Sequence, residues 1–179
     1  FVMPGLPDFL KRYPDIALHL GEDDRLVDLV REGVDCVLRA GVLQDSTLVG
    51  RTIAQMPQVT VASPAYLARH GMPDSVQALE KHLAVDYVSS ATGRAAPLDF
   101  WVDGRIVQVR PRAVVSVSGA ELYTSAALAG LGMGQVPRYR VERELAAGHL
   151  KIVLPHAPPA PMPVSVLTPQ NRQVPARVR

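Results

Sequence analysis

The chain has 179 residues, 47% hydrophobic and 20% charged, which is enough for one large domain or two small lobes with a buried core and excludes an intrinsically disordered tail. Nineteen Lys and Arg against 17 Asp and Glu leave a formal net charge of +2, too balanced for a surface that concentrates positive charge on nucleic acid. No apolar run approaches the roughly 20 residues of a membrane-spanning helix, and the single cysteine, Cys36, excludes an intrachain disulfide framework and a cysteine-based zinc site.

Phe1-Val2-Met3-Pro4 shows no signal-peptide pattern and reads as the interior of a longer chain. Leu6, Phe9, Leu10 and Tyr13 then recur at helical spacing, and Pro14 closes that segment. Residues 16–20 alternate as a strand. Asp24 is placed to cap a helix whose Leu26, Val27 and Val30 face inward, with Gly33 at its C-terminal end. Residues 34–38 read as a buried strand, which makes Cys36 a small core hydrophobe rather than a nucleophile. Strand, helix and strand with short links form a βαβ unit, and a βαβ unit implies a parallel sheet covered by helices.

Residues 48–50 and 59–62 are further strands. Ser63-Pro64 opens a helix through a capping hydroxyl and a first-turn proline, and His70-Gly71 ends it. After a strand over residues 84–88, the runs 100–102 and 105–107 flank Asp103-Gly104, a strong hairpin signal. A strand over residues 113–117 leads into Ser118-Gly119-Ala120-Glu121, which has the spacing of a capping box. The helix it opens, residues 121–129, ends in Gly130-Leu131-Gly132-Met133-Gly134. Pro137 starts another helix, Gly148 ends it, and residues 150–154 form a strand. Five prolines within residues 155–163 predict a stiff linker, followed by a last strand over residues 162–167 and a polar tail over residues 172–179.

Catalytic motifs are missing from this pattern. His19, His70, His82, His149 and His156 are scattered with no i, i+4 pair, so no metal site is expected. There is no Gly-x-Ser-x-Gly elbow and no Walker motif. The Gly130 to Gly134 run lies between a helix and a strand, the reverse of a dinucleotide-binding loop, and reads as a flexible turn. Neither an enzymatic activity nor a cofactor is expected. Binding remains. Ligands of a parallel α/β sheet sit beyond the carboxyl ends of its strands. Here those ends are Arg39-Ala40-Gly41, Ser89-Ser90, Ser118-Gly119 and Gln135-Val136-Pro137. The helix start at Ser118 offers free N–H groups and the positive end of a dipole to a carboxylate or phosphate; the alternative, that Ser118 only caps its helix, has equal weight. Arg39 has two readings as well, an anion partner or the more frequent ion pair with Asp35 or Asp45.

A wider set of segments carries a family likeness. These are Leu6-Pro7-Asp8-Phe9, Tyr13-Pro14-Asp15-Ile16, Asp28-Leu29-Val30-Arg31-Glu32-Gly33-Val34-Asp35, Arg39-Ala40-Gly41 and Ala62-Ser63-Pro64-Ala65-Tyr66-Leu67. Ala127-Leu128-Ala129-Gly130-Leu131-Gly132 with Val136-Pro137, Glu144-Leu145-Ala146-Ala147-Gly148 and Pro169-Gln170-Asn171-Arg172-Gln173 complete it. In this order and spacing the chain resembles the effector-binding domain of LysR-type transcriptional regulators over nearly its whole length.

The resemblance implies a two-lobed α/β fold like that of type 2 periplasmic binding proteins, with two crossovers, near residues 51–57 and 155–163. Lobe I would comprise residues 1–54 with 161–179, and lobe II residues 55–160. The strand after a crossover should run antiparallel to its neighbours, which leaves Ser63 a cap and nothing more. The four strand ends named above, with Val164 and Ser165, should line the cleft. By the same resemblance the chain lacks the first strand of lobe I, the polar turn after it, and the winged-helix DNA-binding domain that precedes it in the family.

The implied role is a cytoplasmic sensor, with no membrane association. It would bind a small carboxylated effector, assemble as a homodimer or tetramer, and reach promoter DNA only through the missing domain. Dimerisation would set Leu6, Phe9 and Leu10 of one protomer against Leu122 and Tyr123 of another, although interior packing explains these apolar positions nearly as well. The competing class is an extracytoplasmic solute-binding protein of a transport system on the same fold.

Overall fold

The structure, a computed structural model, describes residues 2–22, 28–29, 31–41, 48–89 and 92–169. The chain divides into two compact units, Phe1–Asp23 with Asn171–Arg179, and Asp24–Gln170. In the first unit helix α1 spans Leu6–Arg12, with Asp8 in its first turn and Lys11 and Arg12 in its last, charges that complement the helix dipole. Its C-cap Tyr13 returns an N–H to the Phe9 carbonyl at 3.0 Å, ahead of Pro14. Residues 16–20 are not the expected strand: they run without ladder pairing among the described residues. Alternation alone does not hold a strand whose backbone groups lack a partner.

In the second unit the helix expected from Asp24 falls largely on residues 23–27 and 30, outside the described residues. The described residues 31–33 form a turn, in which Gly33 has φ +67° and the Val34 N–H bonds the Leu29 carbonyl at 2.9 Å. Strand β1 covers Val37–Ala40 rather than residues 34–38. Cys36 therefore lies outside the strand and is exposed, not buried. β2 spans Leu48–Met56, and the last strand, β10, spans Met162–Pro169 between them. β10 is antiparallel to both, with Arg39 opposite Ser165 and Met56 opposite Met162. The parallel βαβ unit expected at this point is not formed among the described residues, because the partner of β1 comes from the far end of the chain.

From β2 the chain passes through Pro57 into β3, Gln58–Ala62. Ser63 caps α2, Pro64–His70, by accepting the Tyr66 N–H at 3.2 Å. A 3-10 turn over Gln77–Lys81 leads into β4, Leu83–Tyr87. β5, Leu98–Val102, and β6, Arg105–Val109, form the expected hairpin. Asp103 and Gly104 both have positive φ, 49° and 78°, as a type I′ turn requires. β7, Arg112–Val117, pairs with β4 in parallel, and α3 follows over Ala120–Leu128.

No capping box forms on α3. Its N-cap is Gly119, with no side-chain cap; the helix starts one residue past the position that would let Ser118 cap it, and Glu121 instead meets Arg140 at 3.0 Å. β8 covers Gly134–Pro137. The helix expected from Pro137 is broken at Val141 (φ −119°) into a 3-10 turn, Arg138–Arg140, and α4, Glu142–Ala146. β9 is shorter than expected, Lys151–Ile152. The proline segment after it is pinned at several points, with Trp101 N–H on the Pro158 carbonyl at 2.9 Å and the Gln58 amide on the Ala160 carbonyl at 2.9 Å.

β3 lies antiparallel between β8 and β9, as expected of a strand entered by a crossover. The β4–β7 pair joins this sheet through Met133, which receives the Val85 N–H and donates to the Leu83 carbonyl, each at 2.9 Å. The strands thus run in the order β7, β4, β8, β3, β9. A Cβ on Gly132 would stand 2.7 Å from the Ala84 carbonyl carbon, so the glycine-rich turn is closely packed rather than flexible. Both faces of the sheet are buried. Ala62 and Ala84 pack with Tyr66, Phe100 and Leu154 on one side, and Val61, Val85 and Val136 pack with Tyr123 and Ala127 on the other, as period-2 alternation between two apolar layers requires.

Candidate functional site

β4, β7 and β8 run the same way, so their carboxyl ends stand side by side. Val88 N–H bonds the Val117 carbonyl at 2.7 Å, which sets Ser89 beside Ser118 and Gly119. β3 runs the other way and brings Pro57 and Gln58 to this same edge, Gln58 opposite Pro137 and Arg138 N–H on the Pro57 carbonyl at 2.9 Å. In the other sheet the end of β1, the end of β2 and the start of β10 coincide. Ala40 faces Val164, and the Gly41 N–H bonds the Pro163 carbonyl at 2.9 Å. Gly41 leaves the strand at φ +106°, a conformation that favours glycine. Each group of predicted residues therefore adjoins the passage at Pro57. Ser90 lies outside the described residues.

The side chains differ in what they can offer. The Gln135 amide is fully engaged: its Oε1 accepts the Asp99 N–H at 2.9 Å, and its Nε2 donates to the Asp99 carbonyl at 2.7 Å and to Thr60 Oγ1 at 3.1 Å. The Val136 side chain belongs to the core, so only its backbone reaches the strand end. Ser165 is 1% exposed, its hydroxyl 3.2 Å from Thr52 Oγ1. Ser118 is exposed and free of a capping role. The first-turn N–H groups of α3 accordingly lack a side-chain cap.

The sequence reading missed Tyr87 at this edge. Its ring meets Tyr123 edge-on, centroids 5.5 Å apart. Tyr123 itself, expected at a dimer interface, is 6% exposed within its own fold, and its hydroxyl accepts the Gln135 N–H at 3.0 Å. Burial holds its phenol above the usual range. Of that pair only Leu122, 61% exposed, presents a side chain outward. Leu10 is also exposed, and Leu6 and Phe9 are half-buried. An open pocket between Asp86 and Arg110, beside β4, is lined by none of the predicted residues. Among the described residues no group of three His, Cys, Asp or Glu side chains could hold a metal ion, and no helix is long and apolar enough to cross a membrane.

Residues 1–179 match the LysR substrate binding domain. The chain belongs to that family. It is 36% identical over 179 residues to the HTH-type transcriptional regulator YhjC of Escherichia coli (strain K12), an alignment covering 99% of this chain and 59% of that protein. The chain thus spans about three-fifths of the length of that relative. Two solved structures are similar to it. The regulatory domain of AphB from Vibrio vulnificus superposes with TM-score 0.76 at 26% identity, covering all of this chain and 87% of that one. The CrgA regulatory domain, a LysR-type transcriptional regulator from Neisseria meningitidis, gives TM-score 0.75 at 27% identity, covering all of this chain and 87% of that one. The fold is the two-lobed, periplasmic-binding-protein-like α/β fold of these domains, and the chain is the substrate-binding domain of a LysR-type transcriptional regulator. Such relatives do not favour the solute-receptor alternative.

Proposed function

We propose that this domain senses a small carboxylated effector in a cleft between a lobe of residues 1–54 with 161–179 and a lobe of residues 55–160. The observation that carries the reading is the gathering of Ser89, Ser118, Gly119 and Pro137 at one sheet edge, beside the uncapped start of α3. First-turn N–H groups without a side-chain cap and the positive end of the helix dipole suit a carboxylate there. Arg39, Ala40, Gly41 and Val164 at the end of the other sheet supply the opposing wall, with Ser165 buried behind them.

The effector acts by binding one arrangement of lobes or subunits better than another, since only differential affinity shifts such an equilibrium. The protein works in the cytoplasm as a homodimer or tetramer, without catalysis, cofactor or metal. It engages promoter DNA through a separate N-terminal winged helix, in keeping with the balanced charge of this domain.

Calorimetry with a panel of small carboxylates tests the site. A carboxylate that binds the wild type should lose about tenfold or more in affinity on Ser118→Ala or Arg39→Ala, the worth of one charge-assisted hydrogen bond. Unchanged affinity in both variants sinks the cleft assignment.

A further inference from the structure

We propose that Tyr66 and His82 form a proton-sensitive latch, in which protonation of His82 on Nδ1 leaves the Tyr66 proton without its acceptor and loosens α2 from the start of β4. Tyr66 is fully buried at the centre of the core beneath the hairpin, and His82 is 7% exposed. The Tyr66 hydroxyl accepts the Leu83 N–H at 2.7 Å and lies 3.1 Å from His82 Nδ1. The hydroxyl keeps its own proton and a second lone pair beside the one taken by the backbone, so the contact with Nδ1 can run either way. The latch assigns the Tyr66 proton to Nδ1, with His82 the neutral tautomer protonated on Nε2.

A second proton on His82 turns Nδ1 into a donor facing the Tyr66 hydroxyl, which already receives the Leu83 N–H. The Tyr66 proton then loses its acceptor inside the core, where an unmade hydrogen bond is costly. The ionisable groups on the elements that meet here are Tyr66, Arg69 and His70 on α2, Asp74 in the following loop, Glu80 and Lys81 on the 3-10 turn, Asp86 on β4, and Arg112 on β7, opposite Leu83. Arg69 is held by the Gly130 carbonyl at 2.8 Å, and Asp74 accepts from Ser75 at 3.0 Å. His70 stacks on the Tyr66 ring, centroids 4.5 Å apart, and a charge on it opposes a charge on His82.

Burial first, and His70 second, hold the His82 imidazole below its ordinary value of 6.5. The unfolded or locally opened segment therefore binds more protons than the closed one as pH falls below about 6.5. The contribution of the latch is complete above that pH and is lost as pH drops toward the depressed value. The latch lies at the amino end of β4, away from the carboxyl-end site, so it responds to acid independently of effector.

Amide exchange of Leu83 and α2, measured on the full-length protein and corrected for intrinsic rates, reads the latch. Protection should fall between pH 7.5 and 5.5 in the wild type, by at most about tenfold for an open-state histidine of ordinary value. In His82→Asn, where Oδ1 accepts the Tyr66 proton but takes up none of its own, protection should stay level. Nitrogen NMR of the wild-type imidazole adds a check that needs no variant: an Nε2-protonated ring at pH 7.5, titrating below 6.5. A wild-type ring titrating at or above the ordinary histidine value overturns the proposal, as does an acid response surviving in His82→Asn.

Discussion

Ser63 and Ser118 both precede a helix, yet only one caps it. Ser63 sits at ψ 152° with its hydroxyl on the Tyr66 N–H, while Gly119 takes the N-cap position that the capping-box spacing assigns to Ser118. A one-residue shift in the helix start moves Glu121 away from the third helical position and frees it for Arg140. Ser63→Ala should lower stability by about 1 kcal/mol, whereas Ser118→Ala should stay within about 0.5 kcal/mol. Thermal unfolding of the two variants checks this, and equal losses would contradict the assignment. The serine-proline start of α2 was legible because both signals act within one turn. The false capping box satisfied the same spacing and failed because the path of the chain out of β7 decides where α3 begins.

At the scale of elements, local chemistry carried the hairpin and long-range pairing decided the strands. Asp103-Gly104 needs nothing beyond itself to favour a type I′ turn. Residues 16–20 alternate equally well but find no ladder partner among the described residues, and β1 begins three residues later than its apolar run. The hairpin is then fastened by a residue that no motif marks. Gln135 on β8 satisfies both backbone groups of Asp99 and the hydroxyl of Thr60. Gln135→Leu leaves the Asp99 N–H and carbonyl without that partner and should cost about 1–3 kcal/mol. Faster exchange of the Asp99 amide in this variant, with the β4 amides unaffected, would identify the hairpin as the part released. Unchanged exchange at Asp99 would refute the clamp.

At the scale of the whole molecule, the two sheets meet their tasks through contacts between distant positions. Met56 faces Met162, and the β4–β7 pair joins the rest of its sheet where Gly132 lets the chain approach Ala84. Gly132→Ala must push backbone against backbone and should cost about 1–3 kcal/mol, while Gly119→Ala, with open space around its Cβ, should cost a few tenths at an N-cap. Chemical denaturation of both variants decides it; equal midpoints would mean that the close approach at Ala84 gives way easily. The sequence by itself determined the α/β composition, the Asp103-Gly104 turn and the Ser63 cap through local backbone preference and periodicity, and the family and the antiparallel course of β3 through the resemblance that its ordered motifs carry. Only the tertiary structure decided that β10 separates β1 from β2, that Gln135 and Tyr123 turn inward, and that the Ser89, Ser118 and Pro137 ends share one edge. Strand register and burial are settled by partners distant in sequence, more than a hundred residues away where β1 and β2 meet β10, and no local window contains them.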